Sequence, residues 1–188
     1  MPWSNLNFKV IVITFVLGLA LLFGGQYVYQ KYGFNQPVKQ VLATNPAVAG
    51  YTLEEQGPEL VINVHLKRTD NLQESYRELR RQVDEAMRGR PYQLVIEDER
   101  DDNLREAFYN SQFIIYQAIA QGNFQEMADE VRARARAANA TARIYLDSEY
   151  VYVQMENGHG YLAEVIPRQT GGSDLQGANG GGLYAQRG

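Results

Sequence analysis

Five carboxylates fall within the six residues Glu97-Asp98-Glu99-Arg100-Asp101-Asp102. A calcium ion needs several hard oxygens converging from one loop, and this run supplies them. It lacks the alternating D-x-[DN]-x-[DN]-G order and the distant bidentate Glu of a calcium loop. It also stands just before an expected helix, where acids complement the positive end of the helix dipole and stay solvated. No metal site and no cofactor are expected.

Nucleophilic and acid–base chemistry has little to draw on. The chain has two histidines, five serines and no cysteine. It contains no G-x-S-x-G, no H-E-x-x-H, no P-loop and no dinucleotide glycine fingerprint. The missing thiols exclude disulfides, thiolate zinc sites, iron–sulfur clusters and cysteine nucleophiles. His65 lies on the strand face opposite Leu60, Ile62, Val64 and Leu66, and His159 sits in a glycine-rich turn. A cleft with two carboxylates, or His65 beside an acid, would be the mark of an enzyme. No enzyme is expected.

Aromatic and basic residues offer binding instead. Phe108, Tyr109, Phe113, Ile114, Ile115, Tyr116 and Ile119 make one helix apolar around much of its circumference. Such a helix is either central in a core or covered by another chain. Tyr145, Tyr150, Tyr152 and Tyr161 cluster in strands. Tyr150 and Tyr152 have opposite parity to Val151, Val153 and Met155, so a buried valine face would display the tyrosines. Phe108, Tyr109, Tyr116, Tyr150 and Tyr152 are therefore the expected interaction surface. Arg132, Arg134 and Arg136 alternate along a helix that also carries Glu126, Asp129 and Glu130, and they read as an ion-paired, solvated face.

Charge narrows the partner. The net charge of −4 divides unevenly: residues 1–50 hold three lysines and no acid, whereas residues 51–168 hold 14 basic against 21 acidic side chains. A domain at −7 is poorly suited to a phosphate backbone, so no nucleic acid is expected.

An anchor and a domain must position these residues. Residues 10–30 form an uncharged, largely apolar stretch, the length that crosses a hydrocarbon core of ~30 Å. Trp3 before it and Tyr27, Tyr29 and Tyr32 at its end fit aromatic rings at the two membrane interfaces. No A-x-A cleavage site follows. The reading is a nine-residue cytoplasmic leader (1–9), a transmembrane signal anchor (10–30) that meets membrane lipid, and a single-pass plasma-membrane protein whose domain lies outside the cytoplasm. Pro37, Pro46, Gly50, Gly57 and Pro58 mark residues 31–57 as a stalk. Residues 169–188 include seven glycines and little apolar content, the composition of a disordered tail.

Residues 58–168 carry the folded pattern. Glu59–Lys67 alternates with period two, and Leu72, Tyr76, Leu79, Val83 and Met87 recur at helical spacing behind a capping signal at Asn71 and Glu74. A strand at 92–97 follows, then helices opened at Asn103 and Asn123, then strands at 142–146, 149–156 and 160–166 joined by turn residues. Leu60-Val61-Ile62 with Asp70-Asn71-Leu72 is echoed by Leu94-Val95-Ile96 with Asp102-Asn103-Leu104. The expected fold is α+β, in the order β-α-β-α-α-β-β-β, with helices on one face of a mixed sheet and the first two strands parallel. The expected role is non-catalytic assembly, with itself or other envelope proteins. The alternative is a cell-envelope glycan- or peptide-binding module that uses the tyrosine strip.

Overall fold

The computed structural model describes residues 8–33, 35–57 and 59–168. Most of the expected leader, Trp3, the side chains of Tyr27, Tyr29 and Tyr32, and the tail 169–188 lie outside the described residues. The elements are α1 (Phe8–Gly33), α2 (Asn35–Thr44), β1 (Val48–Gln56), β2 (Glu59–Leu66), α3 (Leu72–Met87), β3 (Tyr92–Glu97), α4 (Asp102–Gln121), α5 (Phe124–Ala137), β4 (Thr141–Leu146), β5 (Tyr150–Glu156) and β6 (Tyr161–Pro167). Among the described residues no helix is long and apolar enough to cross a membrane. Within the expected span, the described side chains run from Val12 to Gly25.

The fold class is α+β. The stretch read as a stalk is structured: α2 buries Val38 and Leu42, one helical turn apart, and β1 pairs antiparallel with β2. The residues that suggested a linker sit where regular structure tolerates them. Pro37 occupies the first turn of α2, where backbone N–H groups have no intrahelical acceptor. Gly50 marks a register shift in β1, and Gly57, at φ +66°, turns β1 back onto β2.

β2 and β3 are parallel, as expected of a crossover through α3. Leu60, Ile62, Val64 and Leu66 are buried against α3, whose Leu72, Tyr76, Leu79, Val83 and Met87 form the facing stripe. Asn71 caps α3 as its sequence indicates, accepting the Glu74 N–H at 3.1 Å. β4, β5 and β6 form the antiparallel meander.

Two expectations about layering are corrected. Among the described residues the strands form two three-stranded sheets, β1-β2-β3 and β4-β5-β6, linked by one bridge between Glu99 and Tyr161. The helices also do not share one face. Tyr150 and Tyr152 of β5 join the core with α3, whereas Val151, Val153 and Met155 join a second core with α4 and α5. β5 is thus covered on both sides, and its parity separates two cores instead of a core from solvent.

Candidate functional site

α4 opens one residue after Asp101, whose Oδ1 accepts the Leu104 N–H at 2.8 Å. The cap expected at Asn103 therefore lies two residues earlier, and the apparent repeat of the Asn71 signal fails at its capping residue. Gly122, at φ +82°, ends the helix in the left-handed conformation. Between these limits the inner face buries Leu104, Ala107, Phe108, Ser111, Ile115 and Ala118. The outer face carries Tyr109, Phe113 and Tyr116 at 61%, 81% and 57% exposure. Spacings of four and three residues align these rings along one side of the helix.

This arrangement divides the expected surface. Tyr109 and Tyr116 are exposed. Phe108 is not, being buried with the Arg100 guanidinium 5.9 Å from its ring centroid. Phe113 takes its place in the exposed row.

Tyr150 and Tyr152 are core residues, which corrects their assignment to an interaction surface. Tyr76 meets both edge-on, with ring centroids 5.6 and 5.9 Å away, and the Arg80 guanidinium lies 5.0 Å over Tyr150. The Tyr152 hydroxyl donates to Asp147 Oδ2 at 2.7 Å. Burial first, and then the Asp147 carboxylate, push the Tyr152 phenol well above its ordinary range. The alternation that suggested display is real, but α3 covers the face it would expose.

The acidic run is distributed among structural tasks. Asp98 grips Arg100 through Nε and Nη2 at 2.7 and 2.6 Å and accepts the Ala163 N–H at 2.8 Å. Arg100 also reaches Glu164 at 2.7 Å. Burial raises the Glu164 carboxyl above its usual range, while the Arg100 charge opposes that rise. Asp101 combines its cap with a bond from Asn157, and these hydrogen bonds lower its pKa. Asp102 pairs with Arg105. Among the described residues no group of three or more acids or histidines is placed to hold a metal ion.

His65 does stand beside an acid: its Nε2 is 3.4 Å from Glu99 Oε1, with side-chain exposures of 32% and 61%. Neither residue lines the cleft of about 430 Å³ between β3 and β6. That cleft is lined by Glu59, Asp84 and Glu164; Asp84 receives the Tyr92 hydroxyl at 2.5 Å and Glu164 is paired to Arg100. On α5, Arg132 and Arg134 pair with Asp129 and Glu130, in keeping with a solvated ion-paired face.

α1 presents a second apolar surface. From Val12 to Phe23 its large side chains are 37–74% exposed. The helical spacing of Tyr109, Phe113 and Tyr116 was available in the sequence. Which side of α4 faces out depended on where the second sheet lay, and no local pattern carries that. Comparison with protein-family models, with curated proteins and with solved structures finds no match.

Proposed function

We propose that this chain is a membrane-anchored assembly module, non-catalytic, with its domain outside the cytoplasm, and that α4 is its contact surface toward a second copy. The observation that carries the reading is the row Tyr109–Phe113–Tyr116 on an otherwise well-packed helix. Aromatic side chains are large contact elements and often dominate interface energy, at about 2 kcal/mol or more each. The anchor half rests on the uncharged sequence of residues 10–30 and on the exposed apolar side chains from Val12 to Phe23, which need lipid or protein around them. The glycan alternative relied on displayed Tyr150 and Tyr152, and both are inside. Catalysis has less support because two of the three cleft carboxylates, Asp84 and Glu164, are engaged and the His65–Glu99 pair sits on an open face.

The absence of cysteine allows a direct test. Single substitutions Tyr109→Cys, Phe113→Cys and Tyr116→Cys in the full chain, oxidised in its own membrane, are expected to yield disulfide-linked dimers. Asp129→Cys, at an exposed position on α5, is expected not to. Equal crosslinking at all four sites, or none at the α4 sites, would overturn the reading. A membrane-impermeant maleimide added to intact cells is expected to label Asp129→Cys. Labelling only after lysis would place the domain on the inner side.

A further inference from the structure

The cleft between β3 and β6, at about 430 Å³, falls within the range of roughly 300–1,000 Å³ in which proteins enclose small organic ligands. α3 roofs it with Tyr76, Arg80, Asp84 and Met87, which follow one side of the helix. Leu94 and Ile96 of β3 and Val165 of β6 supply apolar walls. Tyr76, Tyr92 and Tyr150 add aromatic surface, which suits an aryl body better than an alkyl one.

One wall carries open main-chain groups. The Pro91 carbonyl accepts the Leu60 N–H at 3.3 Å, so the odd-numbered residues of β3 bond toward β2. The N–H and C=O groups of Leu94 and Ile96 therefore point away from β2, on the side of the cleft, and among the described residues nothing bonds to them. Polar main-chain groups set among apolar side chains are best matched by a ligand whose ring carries a hydroxyl or an N–H.

Charge decides the other end of the ligand. Arg80, Arg90 and Arg100 line the cleft with Glu59, Asp84 and Glu164. Two of these arginines are shared with acids outside it: Arg80 reaches Glu149 at 3.1 Å and Asp84 at 4.0 Å, and Arg100 reaches Asp98 at 2.6 Å and Glu164 at 2.7 Å. With those partners counted, three cations face five carboxylates. The Glu59 carboxylate, at the outer end where β2 and β3 begin, has no ion-pair or hydrogen-bond partner among the described residues. A carboxylate ligand would add to the negative excess, whereas a protonated amine offsets it.

We propose that the cleft binds a small arylalkylamine with a hydroxyl or N–H on its ring. The ring lies against Leu94 and Val165, its polar group bonds the open edge of β3, and the ammonium donates to Glu59.

A magnetic-resonance titration of the isotope-labelled full chain in detergent micelles, with tyramine as the probe, tests this. The Leu94 and Ile96 amide signals are expected to shift saturably. The same ring bearing a propionate in place of the amine, 3-(4-hydroxyphenyl)propionate, is expected to bind at least about tenfold more weakly, the loss of one charge-assisted hydrogen bond. Glu59→Gln is expected to weaken tyramine by about tenfold for the same reason. Glu54→Gln, at an exposed acid of β1 outside the cleft, is expected to leave binding unchanged, which separates this site from a general attraction of amines to an acidic domain. No saturable shift at the two amides, equal or tighter binding of the propionate, or equal weakening by Glu59→Gln and Glu54→Gln overturns the proposal.

Discussion

Arg100→Met removes the cation from two carboxylates that have largely left bulk water. The side chains of Asp98, Glu164 and Arg100 are 3%, 20% and 18% exposed, and Arg100 reaches the two acids at 2.6 and 2.7 Å. A solvent-exposed pair contributes about 0–1 kcal/mol, whereas breaking a buried one costs roughly 3–5 kcal/mol because a charge is left uncompensated. Asp98 would keep the N–H groups of Ala163 and Arg100, so the expected loss lies near the low end, about 3 kcal/mol. The effect depends on pH with a definite sign. Burial already raises the Glu164 carboxyl, and losing Arg100 raises it further. A carboxyl with a higher pKa folded than unfolded binds its proton more tightly in the folded state. Stability then falls as pH rises from the ordinary carboxylate range through the raised value. The variant's deficit is therefore largest near neutrality and smaller at about pH 5. Guanidinium unfolding of the full chain in micelles, followed by the near-ultraviolet dichroism of the core tyrosines, measures both points. Arg100→Met/Glu164→Gln is expected to recover part of the loss. A loss under about 1 kcal/mol at neutral pH, or the same loss at both pH values, would refute the buried-pair reasoning.

The same unfolding assay separates the two sides of α4: Ile115→Ala, at a fully buried position, is expected to cost about 2–5 kcal/mol, and Phe113→Ala, at 81% exposure, less than about 0.5. Tyr152→Ala is expected to cost roughly 3–5 kcal/mol through the lost ring packing, and Tyr152→Phe about 1 through the lost bond to Asp147. At the seam between the sheets, a Cβ on Gly160 would stand 2.9 Å from both the Asp101 nitrogen and Leu104 Cδ1, so Gly160→Ala is expected to cost about 1–3 kcal/mol. A neutral Gly160→Ala would show that the seam yields more readily than its packing indicates.

Local signals were the most legible. The alternation of β2, the stripe of α3 with its Asn71 cap and the meander of β4–β6 all follow from spacing and turn chemistry, because each buries a face defined by neighbours in sequence. The second layer was not legible. The valine and tyrosine faces of β5 look alike in the sequence whether one or both are covered, and α3 covers the tyrosines from about 70 residues away along the chain. Pro37 and Gly50 pointed to a linker because both residues usually break regular structure, yet one sits in a helix's first turn and the other at a strand irregularity. Within the candidate site, the helical spacing of Tyr109, Phe113 and Tyr116 was readable, but not that this side would be the exposed one. Phe108 and Phe113 exchanged roles because a helix apolar on most sides does not declare which side the sheet will take.

The central claim is that the α4 row holds copies of the chain together. Sedimentation velocity of the full chain in detergent micelles over a range of protein concentrations tests it most directly, with Tyr109→Ser/Phe113→Ser/Tyr116→Ser run alongside. The account predicts that the native chain associates with rising concentration and that the triple variant stays monomeric with an unchanged unfolding curve. A native chain that remains monomeric throughout, or a triple variant that associates as strongly as the native one, would contradict it.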